Sequence, residues 1–423
     1  MGDLDVQAHP EEDLARYRAS MRAWLEANLE ARDEQAALRS EHEISAEAQI
    51  AGRAKQAHVY EAGYLGITVP TEYGGRGLTR EHQQIWNQEA RAFAVPAPGG
   101  IASGVSLTLV VPTLLRHGSE EQRQNWIPKI LRGEEIWVQL LSEPGAGSDL
   151  AGVLTRATRD GDSWVISGTK VWSSGAMSAD FGLCLARTDW DAPKHRGLTW
   201  FKVPLSDDRV TIRPIREING SAEFCEEFLD DVVVDDSMRI GDLNDGWSVA
   251  NTLLALERGA GADHVGVGPA GGRRPLAPDL IELADRRGLR GDGHVRQLIA
   301  QAQIGDYAQE VLAGRLMSAM RLGMLNPAAA SYIKLARGVL EPLRVAAATE
   351  IAGSRSIAWK PDESDGATAA TNYLNGRIWS IAGGSNQIQR NIISERLLGL
   401  PREPGFDTDM PFREVLEAAK SWS

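Results

Sequence analysis

The 423-residue chain has only two cysteines, Cys184 and Cys225, and they form no CxxC or similar metal-ligand spacing. So few thiols exclude a disulfide framework and fit a reducing, cytoplasmic compartment. Basic residues are also in deficit: 45 Lys and Arg stand against 58 Asp and Glu, a formal net charge of -13. Such a surface repels nucleic acid and anionic membranes, so neither is expected as a partner. An anionic ligand would need a local basic site. No window approaches ~18 uninterrupted apolar residues, so no membrane span is expected. The start, Met1-Gly2-Asp3-Leu4-Asp5, lacks a basic region followed by an apolar run, and no signal peptide is expected. There is no internal repeat and no long low-complexity tract. What is present is a 43% hydrophobic composition, ample for a large core and, at this length, for two or three domains.

The first third reads as helix. Leu14, Tyr17, Met21, Trp24, Leu25 and Leu29 recur at three- and four-residue intervals, the stripe of an amphipathic helix facing a core. The glycine-rich stretch from Gly66 to Leu78 interrupts the helices. Ser119, followed by Glu121 and Gln122, reads as a helix N-cap. From about Trp137 the pattern turns β-rich. Ser163–Ser167, Leu198–Val203, Val210–Ile212, Phe228-Leu229 and Val232–Val234 read as strands, and Asp160-Gly161-Asp162 as the turn between two of them. After Trp247 helical patterns return, with Ile304, Tyr307, Val311, Leu312 and Leu316 on one face, and Glu341-Pro342 marks a helix start. The expected class is α+β: an N-terminal helical domain (1–136), a small β-domain (137–240) and a C-terminal helical bundle (241–423). His117 and His294 have no metal-ligand companions and read as structural, so no metal site is expected.

Two features stand out chemically. The loop Glu143-Pro144-Gly145-Ala146-Gly147-Ser148-Asp149 can present backbone N–H groups to an anion or to the edge of a heterocycle. It is no Walker loop, since no Gly-Lys-Ser/Thr follows, and its spacing is not that of a dinucleotide fingerprint. A plain turn is the other reading of these residues. The run Val249–Arg258 has apolar residues on one face and ends in Glu257, either a carboxylate delivered to a site or half of a surface ion pair.

Several phrases together carry a resemblance. Gln139-Leu140-Leu141-Ser142-Glu143-Pro144-Gly145-Ala146-Gly147-Ser148-Asp149, followed by Gly168-Thr169-Lys170-Val171-Trp172-Ser173-Ser174, resembles the pattern T-E-P-x-A-G-S-D … G-x-K-x-W-I-T of the acyl-CoA dehydrogenases. The Tyr73-Gly74-Gly75-Arg76-Gly77 loop, the Gly118-Ser119-Glu120-Glu121-Gln122 phrase and Ile381–Arg390 resemble further stretches of that family. The resemblance implies FAD as cofactor. It implies that Gln139, Leu141, Ser142, Gly147, Ser148, Trp172, Ser173 and Ser174 line the flavin, with Gly353, Ser385 and Gln387 as further cofactor contacts. It implies an acyl-CoA substrate near Ser148, an electron-transfer flavoprotein as acceptor, and a homo-oligomer, dimer or tetramer, or a mixed oligomer. Many members carry their catalytic glutamate where this chain has Gly383. Glycine takes no proton, so the base is expected elsewhere. A subset typified by isovaleryl-CoA dehydrogenase places it directly before an arginine on another helix, the position of Glu257-Arg258. Glu257 is therefore the expected base and Arg258 a substrate-positioning residue. The Gly383 N–H is expected to bind the thioester carbonyl, and Gly383-Gly384 to leave room for a bulky or branched acyl group. The family's R-x-x-F-G phrase is absent from residues 288–297. Two alternatives stay open on the same scaffold: a monooxygenase, and a half-site subunit completed by a partner chain.

Overall fold

A computed structural model describes residues 10–32, 45–257, 278–359 and 364–420, apart from 403, 406 and 408. The N-terminal layer holds α1 (Pro10–Asn28), α2 (Ala46–Glu61), α3 (Arg80–Glu89), α4 (Ile101–Val105), α5 (Val111–His117) and α6 (Glu120–Arg132). The stripe read from the sequence is the buried side of α1, where Met21 and Leu25 lose all contact with solvent. The N-cap expected at Ser119 is a full capping box. The Ser119 hydroxyl accepts from Gln122 N at 3.2 Å, and the Gln122 side chain accepts from Ser119 N at 3.0 Å. The amide nitrogen of Gln122 also donates to the carbonyls of Ser237 and Arg239, which ties this helix to the sheet.

The strands are β1 (Trp137–Leu140), β2 (Arg156–Asp160), β3 (Ser163–Ser174), β4 (Phe181–Arg187), β5 (Leu198–Pro204), β6 (Val210–Pro214), β7 (Phe224–Asp235) and β8 (Arg239–Ile240). They form one sheet in the order β6-β7-β3-β2-β4-β5-β8, with β1 parallel to β4. Two runs expected as separate strands, Phe228-Leu229 and Val232–Val234, belong to the single strand β7. The 160–162 turn joins β2 to β3 as expected, with Gly161 at φ 59°. One face of the sheet packs on the helical layer through Trp137, Leu183, Leu185, Leu198 and Trp200, and the other buries Ile166, Phe201, Val203 and Val232.

Helix α7 (Gly246–Ala255) is anchored to β5. The Trp200 indole donates to the Gly246 carbonyl at 2.7 Å, and a Cβ on Gly246 would stand 2.7 Å from the Leu198 backbone. The bundle follows with α8 (Pro278–Arg286), α9 (Gly293–Arg321), α10 (Ala330–Ala352), α11 (Ser364–Asn375) and α12 (Asn386–Arg396). The helix start expected at Glu341-Pro342 is corrected: Pro342 lies inside α10. The start signal sits upstream, where the Asn326 side chain accepts from Ala328 N at 2.9 Å and Pro327 opens a short turn leading into the helix. The last helix, α13 (Phe412–Lys420), returns to the β-domain. Phe412 N donates to Ala192 O, and the Phe412 ring covers the Arg187 guanidinium at 3.7 Å. Among the described residues no helix is long and apolar enough to cross a membrane.

Candidate active site

The glycine loop and β3 are built as one wall. Val171 N donates to Ser142 O at 2.9 Å, and Glu143 and Ala146 exchange two backbone bonds of 3.0 Å each, which closes the loop on itself. Lys170, fully buried, holds the wall from behind. Its ammonium donates to Glu143 Oε1 at 2.8 Å and to the Leu141 carbonyl at 3.1 Å. The Glu143 carboxylate also accepts the N–H groups of Leu154 and Thr155. Burial pushes the Glu143 pKa up, but Lys170 and these donors outweigh it and the net shift is downward. The cysteines lie deep in the sheet, both unpaired.

Trp172 stands out of this wall. The β3–β7 register slips between Val171 and Ser173, a β-bulge, and Trp172 occupies it in the left-handed region at φ 68°. Its indole is 57% exposed and meets Phe224 edge-on at 5.8 Å. The same slip turns Ser173 inward. Its side chain is buried and its hydroxyl donates to Glu227 Oε2 at 3.0 Å, so as a cofactor contact through its side chain Ser173 is corrected. Ser174 is half-buried at the wall edge, followed by Gly175 at φ 75°. Gly145 and Gly147 have open space where a Cβ would project, so no protein packing requires them to be glycine. Ser148 is exposed. Asp149 beside it is held by Lys194, which also pairs with Asp407 at 2.6 Å.

The two candidates read from distant parts of the sequence meet. Gln139 Nε2, on β1, donates to Glu257 Oε1 at 2.6 Å. Helix α7 aims Glu257 there because its start is fixed on β5 and its middle is bonded by His117 Nε2 to Thr252 Oγ1 at 2.8 Å. That contact gives His117 the structural role expected for it. Gln139 Oε1 is buried without a hydrogen-bond partner. Arg258 lies outside the described residues.

A second group of candidates sits on the bundle. Gly383 and Gly384 adopt φ 64° and 87°, and Gln389 Nε2 donates to both carbonyls. Ser385 caps α12 through Ile388 N, and Gln387 is exposed. The two glycines differ in the room they leave. A Cβ on Gly383 meets nothing nearer than Lys334 Cε at 3.8 Å, whereas one on Gly384 would strike Gln389 Nε2 at 2.5 Å. The space expected from both glycines is therefore corrected to Gly383 alone. Gly353, the C-cap of α10, is at φ 61°, with Arg287 Nη2 as its nearest neighbour at 3.6 Å from a Cβ built there. Arg287 Nε is buried without a partner. Sequence reading passed over Arg287 because it looks like one of several arginines in a charged turn.

An exposed indole and glycines open to space suit a planar heterocycle, and the Arg287 guanidinium beside Gly353 suits an anion. Glu257, at the edge of that wall, suits proton transfer.

Comparisons with known proteins point to one family. The chain matches, in order, the family descriptions acyl-CoA dehydrogenase N-terminal domain (residues 11–134), middle domain (139–232) and C-terminal domain (244–398). It is 38% identical over 354 residues to acyl-CoA dehydrogenase FadE34 of Mycobacterium tuberculosis, covering 82% of this chain and 46% of that one, so it spans about half that relative's length. It is 37% identical over 404 residues to acyl-CoA dehydrogenase IpdE1 of the same organism, covering 93% and 99%. Among solved structures it resembles the Tcur3481-Tcur3483 steroid ACAD (TM-score 0.75, 27% identity, 95% and 100% covered). It also resembles the ChsE4-ChsE5 complex from Mycobacterium tuberculosis (TM-score 0.71, 25% identity, 95% and 100% covered).

Proposed function

The chain belongs to the acyl-CoA dehydrogenase family, and we propose that it carries out FAD-dependent α,β-dehydrogenation of an acyl-CoA thioester with Glu257 as the base. The observation that carries this reading is the 2.6 Å contact between Glu257 and Gln139, which joins a carboxylate from one domain to the wall of another. FAD, when bound, supplies a hydride acceptor for the substrate Cβ. Trp172 offers its exposed face to the ring system, while Ser142 and Ser174 offer polar atoms to its edge. Arg287 beside Gly353 offers a cation to the pyrophosphate, a role the missing R-x-x-F-G phrase would otherwise fill. Glu257 takes the α-proton after substrate displaces Gln139 from its carboxylate. The N–H of Gly383 donates to the thioester carbonyl as negative charge develops there, a term of about 3–4 kcal/mol per donor in comparable sites. An electron-transfer flavoprotein then reoxidises the enzyme.

The acyl group on this reading is bulky. Gly383 leaves space where a glutamate side chain would otherwise stand, and a structural neighbour is described as a steroid ACAD. The test is an anaerobic titration with a panel of acyl-CoAs, following the flavin absorbance. Bulky acyl-CoAs should bleach the flavin faster than straight-chain ones. Glu257→Gln should slow bleaching by roughly 10²–10⁴-fold. A variant that bleaches at the wild-type rate removes Glu257 as the base.

A mixed assembly is a second reading, favoured by the exposed apolar side chains of α9, such as Ile304 and Tyr307, and by the complex among the structural neighbours. A protein that is colourless alone and gains FAD only on co-expression with a second chain supports it. A yellow homo-oligomer excludes it.

A further inference from the structure

Behind the wall lies a buried acid that no step above uses. Glu227, on β7, is 0% exposed and stands opposite Lys170 in the β3–β7 register. Its Oε2 accepts the Ser173 hydroxyl, and its Oε1 has no partner. Lys170 is turned the other way, to Glu143 and the Leu141 carbonyl. A carboxylate removed from water with one hydroxyl donor is costly, and a neutral carboxylic acid there costs far less. Burial drives the Glu227 pKa up to about 8, against Ser173 and Lys170, which pull it down.

We propose that Glu227, held as the neutral acid, is a positioning residue for the flavin wall: by drawing Ser173 inward it fixes Trp172 and Ser174 outward through the bulge. The inference rests on the flavin reading above. It makes cofactor retention depend on one proton. An ionised Glu227 competes with Glu143 for the Lys170 ammonium. The Leu141 carbonyl, next to Ser142, then loses its donor, and both halves of the wall loosen together. Other ionisable groups that act on Glu227 or feel it are Glu226 and Cys225 on its own strand and Cys184 on β4, while Arg213 on β6 stands opposite Glu226. Burial raises both thiols, Cys184 to about 11, so neither titrates near pH 8.

The test is FAD release from the holoenzyme, followed by flavin fluorescence between pH 6 and 9.5, for wild type, Glu227→Gln and Ser173→Ala, each checked for folding by circular dichroism. Wild-type affinity should weaken about tenfold from pH 7 to pH 9, as follows if FAD binds only the form with Glu227 protonated and that group titrates near 8 in the free protein. Glu227→Gln stays neutral and still accepts from Ser173, so it should hold its pH 7 affinity across the range. Ser173→Ala should bind FAD at least about fivefold more weakly at pH 7, because the link is cut without a change of charge. Wild type and Glu227→Gln sharing one pH profile overturns the inference. So does a Ser173→Ala variant with wild-type affinity and profile, which keeps the test decisive should Glu227→Gln not fold. A wild-type protein that takes up no FAD at any pH overturns the flavin reading instead.

Discussion

A tryptophan at φ 68° carries a backbone penalty of about 1–2 kcal/mol that glycine avoids. Trp172 gives back part of this through its edge contact with Phe224, worth about 0.5–1.5 kcal/mol. The two terms nearly cancel. Trp172→Gly should therefore unfold in urea within about 1 kcal/mol of wild type while its flavin affinity falls at least about tenfold. A large loss of stability would instead make the indole a packing residue. The buried acids nearby set opposite pH trends. Glu143, whose folded pKa is lowered, contributes stability above its unfolded value that is lost as pH falls through the folded one. Glu227, whose folded pKa is raised to about 8, contributes stability that is full below its unfolded value and lost as pH rises towards 8. Glu227→Gln should flatten the decline in urea midpoint between pH 5 and 8 and leave the acid limb unchanged. Lys170→Met removes the cation of a buried pair and should cost about 3–5 kcal/mol in the same assay at pH 7. Gly383→Ala, in the left-handed region and in the open space, should slow the reaction of bulky acyl-CoAs more than that of short ones, read as the ratio of kcat/KM.

Helix α13 supports an element far from it in the sequence. Arg187 is fully buried, and its Nη2 donates to the carbonyls of Ala151 and Lys194. Burial pulls its pKa down to about 10, against the carboxylates of Glu143, Asp149 and Asp189, and the ring of Phe412 closes over its guanidinium. Phe412, 2% exposed, thus roofs the cation that braces the Leu150–Gly152 turn behind the glycine loop. Phe412→Ala should destabilise the protein by about 3–5 kcal/mol, read from the denaturation midpoint. A shift of a few tenths would mean that α13 docks without supporting the loop.

At the scale of the molecule, the bundle leaves apolar side chains in water: Ile304, Tyr307, Leu322 and Met324 along α9 and beyond it, and Leu343 on α10. A face of this kind marks an interface. Sedimentation should find an oligomer, and Ile304→Glu with Tyr307→Glu should shift it to smaller species without unfolding the chain. The architecture was legible in the sequence wherever one local rule sufficed. The α1 stripe, the Ser119 capping box and the 160–162 turn are all signals within a few residues. The meeting of β1 with Glu257 was suggested only through a family pattern. What escaped depends on partners far along the chain. The bulge at Trp172 exists only against β7, some fifty residues on. Glu227 looks like one of a run of acidic residues until Ser173 and Lys170 are placed against it. The start of α10 lies upstream of Pro342 because the Asn326-Pro327 turn overrides that strong local signal.

The roof that Phe412 forms over Arg187 also sets an order of events during synthesis. The two residues are separated by roughly 225 positions, which a ribosome takes roughly 10–45 s to translate. For that interval the nascent middle domain carries its braced cation uncovered, with the turn behind the glycine loop incomplete. A chain released before residue 412 would keep the Arg187 guanidinium uncovered behind the glycine loop.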